Sequence, residues 1–105
     1  MVRNPCNEIE IIPTDKNVIY DAVLLWIKTE IPVSLLKRLR INEEFGSIRI
    51  HNDPAFSDAN RSIKLSFREE CVIVMQDYNV IGKVMYCDPK MFDSLLKFLY
   101  KVHNG

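Results

Sequence analysis

The stretch Cys71–Cys87, CVIVMQDYNVIGKVMYC, decides the fold. It is apolar at odd and even positions alike, whereas a half-buried strand alternates. Two strands around a short turn fit it, with the turn centred on Asn79. That register sets Cys71 opposite Cys87, Ile73 opposite Met85 and Met75 opposite Lys83. The other face then holds Val72, Val74, Gln76, Gly82, Val84 and Tyr86. A shift of the turn by one residue would change every partner. In either case both faces of the first strand of this hairpin are oily, and each needs cover.

A helix is expected on the valine face. The remaining face would show Ile73, Met75 and Met85, with the methylene stem of Lys83 at its rim. The protein's own helices could divide between the two faces, as they do over fully buried strands. Another chain could cover the second face instead, since large exposed apolar patches mark interaction sites and methionine repacks readily. A cross-strand Cys71–Cys87 disulfide is a third arrangement, and it needs an oxidising compartment.

Upstream of the hairpin, SIKLSFRE gives the cleanest alternation, with Ile63, Leu65 and Phe67 on one face and Lys64, Ser66 and Arg68 on the other. SIRIHN alternates Ile48 and Ile50 with Arg49 and His51. Between them DPAFSDANR is a loop, and NEEFG reads as a turn. Near the start, NEIEIIP alternates Glu8 and Glu10 with Ile9 and Ile11 and predicts a strand closed by Pro13.

Three helices complete the pattern. DKNVIYDAVLLWIKTE carries Ile19, Val23, Trp26 and Ile27 at helical spacing, and Val18, Ala22 and Leu25 beside them. So wide a stripe predicts a deeply packed helix, capped by Thr14 or Asp15. PVSLLKRLR predicts a short second helix after the break at Pro32. Downstream, Asp88 is a capping residue with Pro89 at the first helical position, and Met91, Phe92, Leu95, Leu96, Leu99 and Val102 form the stripe.

The element order is β-α-α-β-β-β-β-α. Strands in succession with short connections favour an antiparallel sheet, so the fold class is α+β, with about five strands and helices from both ends of the chain. The 105 residues suffice for one core, and residues 1–105 are read as a single domain.

Composition narrows the function. Fourteen basic and fourteen acidic residues cancel, so the chain is no general magnet for polyanions or anionic membranes. The start lacks an apolar signal segment, and the run AVLLWI is far shorter than the ~20 residues that span a bilayer. Three cysteines at no metal-like spacing fit free thiols in the cytoplasm. Three glycines write no phosphate-binding loop, and neither CxxC nor HExxH occurs. Neither a metal, a cofactor nor a catalytic set is therefore assigned. A Cys–His pair around His51 fails on the apolar setting of Cys71 and Cys87, which suppresses thiolate formation.

The expected function is a small cytoplasmic protein-binding module: an adaptor, a chaperone-like escort, or an inhibitor such as an immunity protein. Its partner would be another protein or a second copy of itself, met through Ile73, Met75, Lys83 and Met85. An alternative is nucleic-acid binding through a basic sheet face of Arg49, His51, Lys64 and Arg68, with Lys37, Arg38 and Arg40 as a cluster elsewhere. Glu8 and Glu10 could neutralise that face, and it lacks aromatics for base stacking. A small enzyme or enzyme subunit without a recognisable motif is the second alternative.

Overall fold

A computed structural model describes residues 15–56, 58 and 61–104. Its elements are α1 (Lys16–Thr29), α2 (Val33–Leu36), β1 (Leu39–Glu44), β2 (Ser47–Asn52), β3 (Ser62–Phe67), β4 (Cys71–Gln76), β5 (Asn79–Met85) and α3 (Met91–Asn104). The strands form one antiparallel sheet in the order β1-β2-β3-β4-β5, each beside its sequence neighbours. The protein is α+β, with helices before and after the sheet. The strand expected at Glu8–Pro13 lies outside the described residues.

The strand the sequence reading missed is β1. The sequence pattern places Leu39 and Arg40 in a helix and Asn42–Glu44 in a turn, yet all pair with β2, from Leu39 opposite Asn52 to Glu44 opposite Ser47. Its core-facing row is Leu39, Ile41 and Glu43, so alternation breaks down at the third position and the periodic signal is lost. Phe45 and Gly46 alone form the turn to β2, with Gly46 at φ 72°.

Helix α1 starts where Asp15 accepts a hydrogen bond from the Asn17 N–H at 2.7 Å. It buries Ile19, Val23, Trp26 and Ile27. The second row expected to be packed is not: Val18 is 60% exposed and Leu25 62%. One helix face against one sheet face leaves the far side of α1 in water. Helix α3 begins two residues after Pro89; the Met91 N–H donates to the Asp88 carbonyl at 3.0 Å, and Asp88 Oδ1 accepts from the Lys90 N–H at 2.9 Å.

One core cluster lies between the helices and a single face of the sheet. Ile48, Ile50, Ile63, Leu65, Phe67, Val72, Val74 and Val84 supply the floor, and Ile19, Val23, Ile27, Met91, Leu95 and Leu99 the roof. Helix α1 packs on β3, and α3 on β3 and β5. Trp26 and Phe92 join the helices, with ring centroids 5.3 Å apart.

The β4–β5 hairpin keeps the expected faces but not the expected register. Cys71 lies opposite Met85, Ile73 opposite Lys83 and Val74 opposite Gly82, two positions from the sequence reading. An even shift leaves each side chain on its face, so the valines still meet the helices. The turn is Asp77–Tyr78, both in the left-handed region at φ 50° and 67°. That is the geometry of a two-residue hairpin turn whose twist matches the strands, and a tyrosine there hides the signal usually given by Asn-Gly or Asp-Gly.

A bulge between Val74 and Met75 then realigns the ladder, so that Met75 meets Val80. It lies next to Gly82, which faces the Phe98 ring of α3. A Cβ on Gly82 would collide with Phe98 Cζ, so the ring occupies the space of the missing side chain.

Candidate functional site: the open face of the sheet

Among the described residues the helices cover one face of the sheet, and the residues that alternate with the core rows form the other, on which Ser47 and Cys71 are nonetheless buried. Neighbouring strands place them in rows: Arg40, His51 and Ser62; Asn42, Arg49, Lys64, Met75 and Val80; Glu44, Ser47, Ser66, Ile73 and Lys83; then Cys71 and Met85. The face divides along its width. Strands β1 to β3 supply charge and hydroxyls, and β4 and β5 supply aliphatic and thioether groups.

All four residues expected to bind a partner lie in the second half. Ile73, Met75 and Met85 are half-buried and stand outside the core cluster, and Lys83 is exposed. Val80, 63% exposed opposite Met75, extends the same apolar block. The sequence reading missed it because the bulge shifts its partner.

Of the expected basic set, Arg49, His51 and Lys64 share the first half. Arg49 lies directly opposite Lys64, a pairing of like charges that needs a counter-charge. Glu44 provides it. Its Oε1 accepts from Arg49 Nε at 3.1 Å, and its Oε2 stands 3.8 Å from Lys64 Nζ. Desolvation opposes the Glu44 charge, but attraction to Arg49, that hydrogen bond, Lys64 and the hydroxyl of Ser47 outweigh it and hold the carboxyl below its ordinary range. The neutralising carboxylate expected from Glu8 and Glu10 is thus present on β1, from a residue read as part of a turn.

Arg68 lies one residue past the end of β3, so it belongs to the turn and not to the strand rows of this face. Strand β3 ends at Phe67, and the Arg68 N–H donates to the Cys71 carbonyl at 2.9 Å across the β3–β4 turn. The Arg68 carbonyl accepts the Tyr86 hydroxyl at 2.6 Å, and burial raises the Tyr86 phenol well above its ordinary range. Arg40, expected in a separate cluster, joins the face through β1 and lies 3.8 Å from Asp53.

The histidines are far apart in character. His51 Nε2 accepts from the Asn42 amide at 3.3 Å on the open face. His103, near the end of α3, donates from Nδ1 to Asn52 Oδ1, and its buried Nε2 has no hydrogen-bond partner among the described residues. Burial, then the charge of Arg61 and the proximity of His51, lower the His103 pKa to about 4. It is a neutral clasp between the end of α3 and the end of β2.

The cysteines correct two expectations. Cys71 is a buried free thiol, so no Cys71–Cys87 bridge forms. Cys87 is disulfide-bonded, against the expectation of free thiols throughout. The register explains the first point, because Cys71 pairs with Met85 and Cys87 falls beyond the end of β5.

Among the described residues no three His, Cys, Asp or Glu side chains are grouped to hold a metal ion, and no helix is long and apolar enough to cross a membrane. Compared with known protein families, curated proteins and solved structures, the chain shows no match.

Proposed function

We propose that the chain is a protein-binding module, an adaptor, escort or inhibitor, that meets its partner through the open sheet face, with Ile73, Met75, Val80 and Met85 as the contact and Lys83 at the rim. One observation carries this reading: a contiguous aliphatic block stands on the side of the sheet away from both long helices and outside the core they enclose. Burying the block would remove apolar surface from water at roughly 25 cal/mol per Å². Its half-buried methionines can repack against a partner's shape. A second copy of the chain is the other partner this block could take.

Met75→Asp and Met85→Asp test the proposal. Each variant is expected to keep a cooperative thermal transition and to lose the association seen with the wild type, by light scattering for a self-complex and by calorimetry with a purified host partner. Unchanged association in both folded variants would end the reading.

The cytoplasmic setting belongs to the same proposal. The free thiol of Cys71 supports it, and the disulfide at Cys87 weighs against it. Thiol trapping during isolation from the host decides between them.

A second reading, nucleic-acid binding, draws on the adjacent Arg49 and Lys64. The Glu44 carboxylate that engages both cations opposes it, and a salt-dependent gel shift lost on Arg49→Gln and Lys64→Gln would favour it.

A further inference from the structure

The charges around the apolar block give the chemistry of its occupant, granted that the open face is a binding surface. The rows set Lys64 beside Met75 and Lys83 beside Ile73. Ile73 and Met75 on β4 therefore form a floor with a basic side chain on each flanking strand, one on β3 and one on β5. Neighbouring strands lie about 4.8 Å apart, so those walls stand roughly 10 Å from each other. An α-helix with its side chains is about 10–12 Å across, so its body would ride above Lys64 and Lys83 while its apolar stripe meets the floor between them.

On the strands of this face the basic side chains are Arg40, Arg49, Lys64 and Lys83, and the acidic one is Glu44. Lys83 has no ion-pair partner among the described residues, and Lys64 shares Glu44 with Arg49, so both walls retain positive potential. We propose that the occupant is an amphipathic helix of another protein, with an apolar stripe flanked on both sides by carboxylates. Helix-in-groove recognition supplies the apolar contact, and charge complementarity supplies orientation and encounter rate.

The same pattern disfavours the other occupants. Two copies of this face would bring basic walls against basic walls. A nucleic acid would find phosphate contacts but no aromatic ring for its bases, because none of the face residues is Phe, Tyr or Trp.

The test is a displayed library of helical peptides with a fixed leucine stripe and randomised flanks, selected on the folded wild-type protein. Enrichment of Glu and Asp on both flanks is expected; neutral or basic flanks, or no enrichment, would overturn the proposal. The selected peptide, made synthetically, should bind Lys64→Glu and Lys83→Glu at least tenfold more weakly than wild type. Lys64→Gln and Lys83→Gln serve if the reversals fail to fold.

Equal affinity for the charge variants, with binding still lost in Met75→Asp, would sink the acidic helix and leave the protein-binding face standing. Binding indifferent to Met75→Asp would sink both. Displacement of the peptide by single-stranded DNA at physiological salt, or self-association through this face, would also overturn the proposal.

Discussion

The two faces of this sheet are made by the same five strands and obey different rules. On the helix side Ile48, Ile50, Leu65, Val72 and Val74 are wholly excluded from water, and α3 approaches so closely that Gly82 has no room for a methyl group. On the open side the strands change character halfway, from the Arg49–Lys64–Glu44 ion pairs to Ile73, Met75 and Met85. Packing fixes the first face and leaves almost no freedom in sequence. On the second face packing gives way to charge balance between neighbouring strands, and only Ser47 and Cys71 are buried there.

Substitutions can break this comparison, and the largest difference is expected in the core. Leu65→Ala should cost about 3–4 kcal/mol in chemical denaturation, since it opens a cavity between the sheet and both helices. Ile73→Ala, on the opposite face, should cost about 1 kcal/mol. Similar losses for both would show that the open face is packed as a core. Gly82→Ala should cost about 2 kcal/mol, because the Phe98 ring must shift. Phe98→Leu in the same chain should recover part of that loss. A neutral Gly82→Ala would refute the close approach of α3.

Acid should act on the helix side first. The unfolded chain protonates His103 near its ordinary 6.5, and the folded chain resists until about 4. The unfolded state therefore binds more protons in this window, and stability falls as the pH drops from about 6.5 towards 4. Allowing for its partial exposure, the loss should be about 1–2 kcal/mol. His103→Gln should flatten this part of the stability profile, and an unchanged slope would remove the histidine clasp as its cause. Glu44 responds at lower pH, because its carboxyl is held below the ordinary range; its contribution is lost as the pH falls through that depressed value.

A small effect of opposite sign is expected at the turn joining the two halves of the hairpin. Tyr78→Gly should stabilise the protein by about 1 kcal/mol, since a fully exposed tyrosine gives up a left-handed backbone to a residue that adopts it freely. A loss of stability would mean that the Tyr78 ring makes a contact that holds the turn.

These contrasts also show what could be read in advance. Ser62–Phe67 announces itself, because every second residue is buried. The valine face of the hairpin was legible for the same reason, and Ile73, Met75 and Met85 follow from it by parity. Strand β1 was hidden because its outward row, Arg40, Asn42 and Glu44, and its inward Glu43 together outweigh two apolar residues. With β1 went Arg40 and Glu44, and so the charge balance of the open face. The register was lost to a tyrosine in a left-handed turn and to a bulge, neither of which leaves a periodic mark. Val18 and Leu25 misled in the opposite way: they share the helical spacing of a core row, and only the position of α1 over a single sheet face leaves them in water.

Helix α3 follows the five described strands and roofs both β3 and β5. During synthesis the sheet can therefore zip up hairpin by hairpin as it leaves the ribosome, while the greasy surface beneath α3 stays bare until Met91–Asn104 emerges. For that interval the nascent sheet carries its apolar face uncovered, and chaperone demand during translation should peak before Met91–Asn104 emerges.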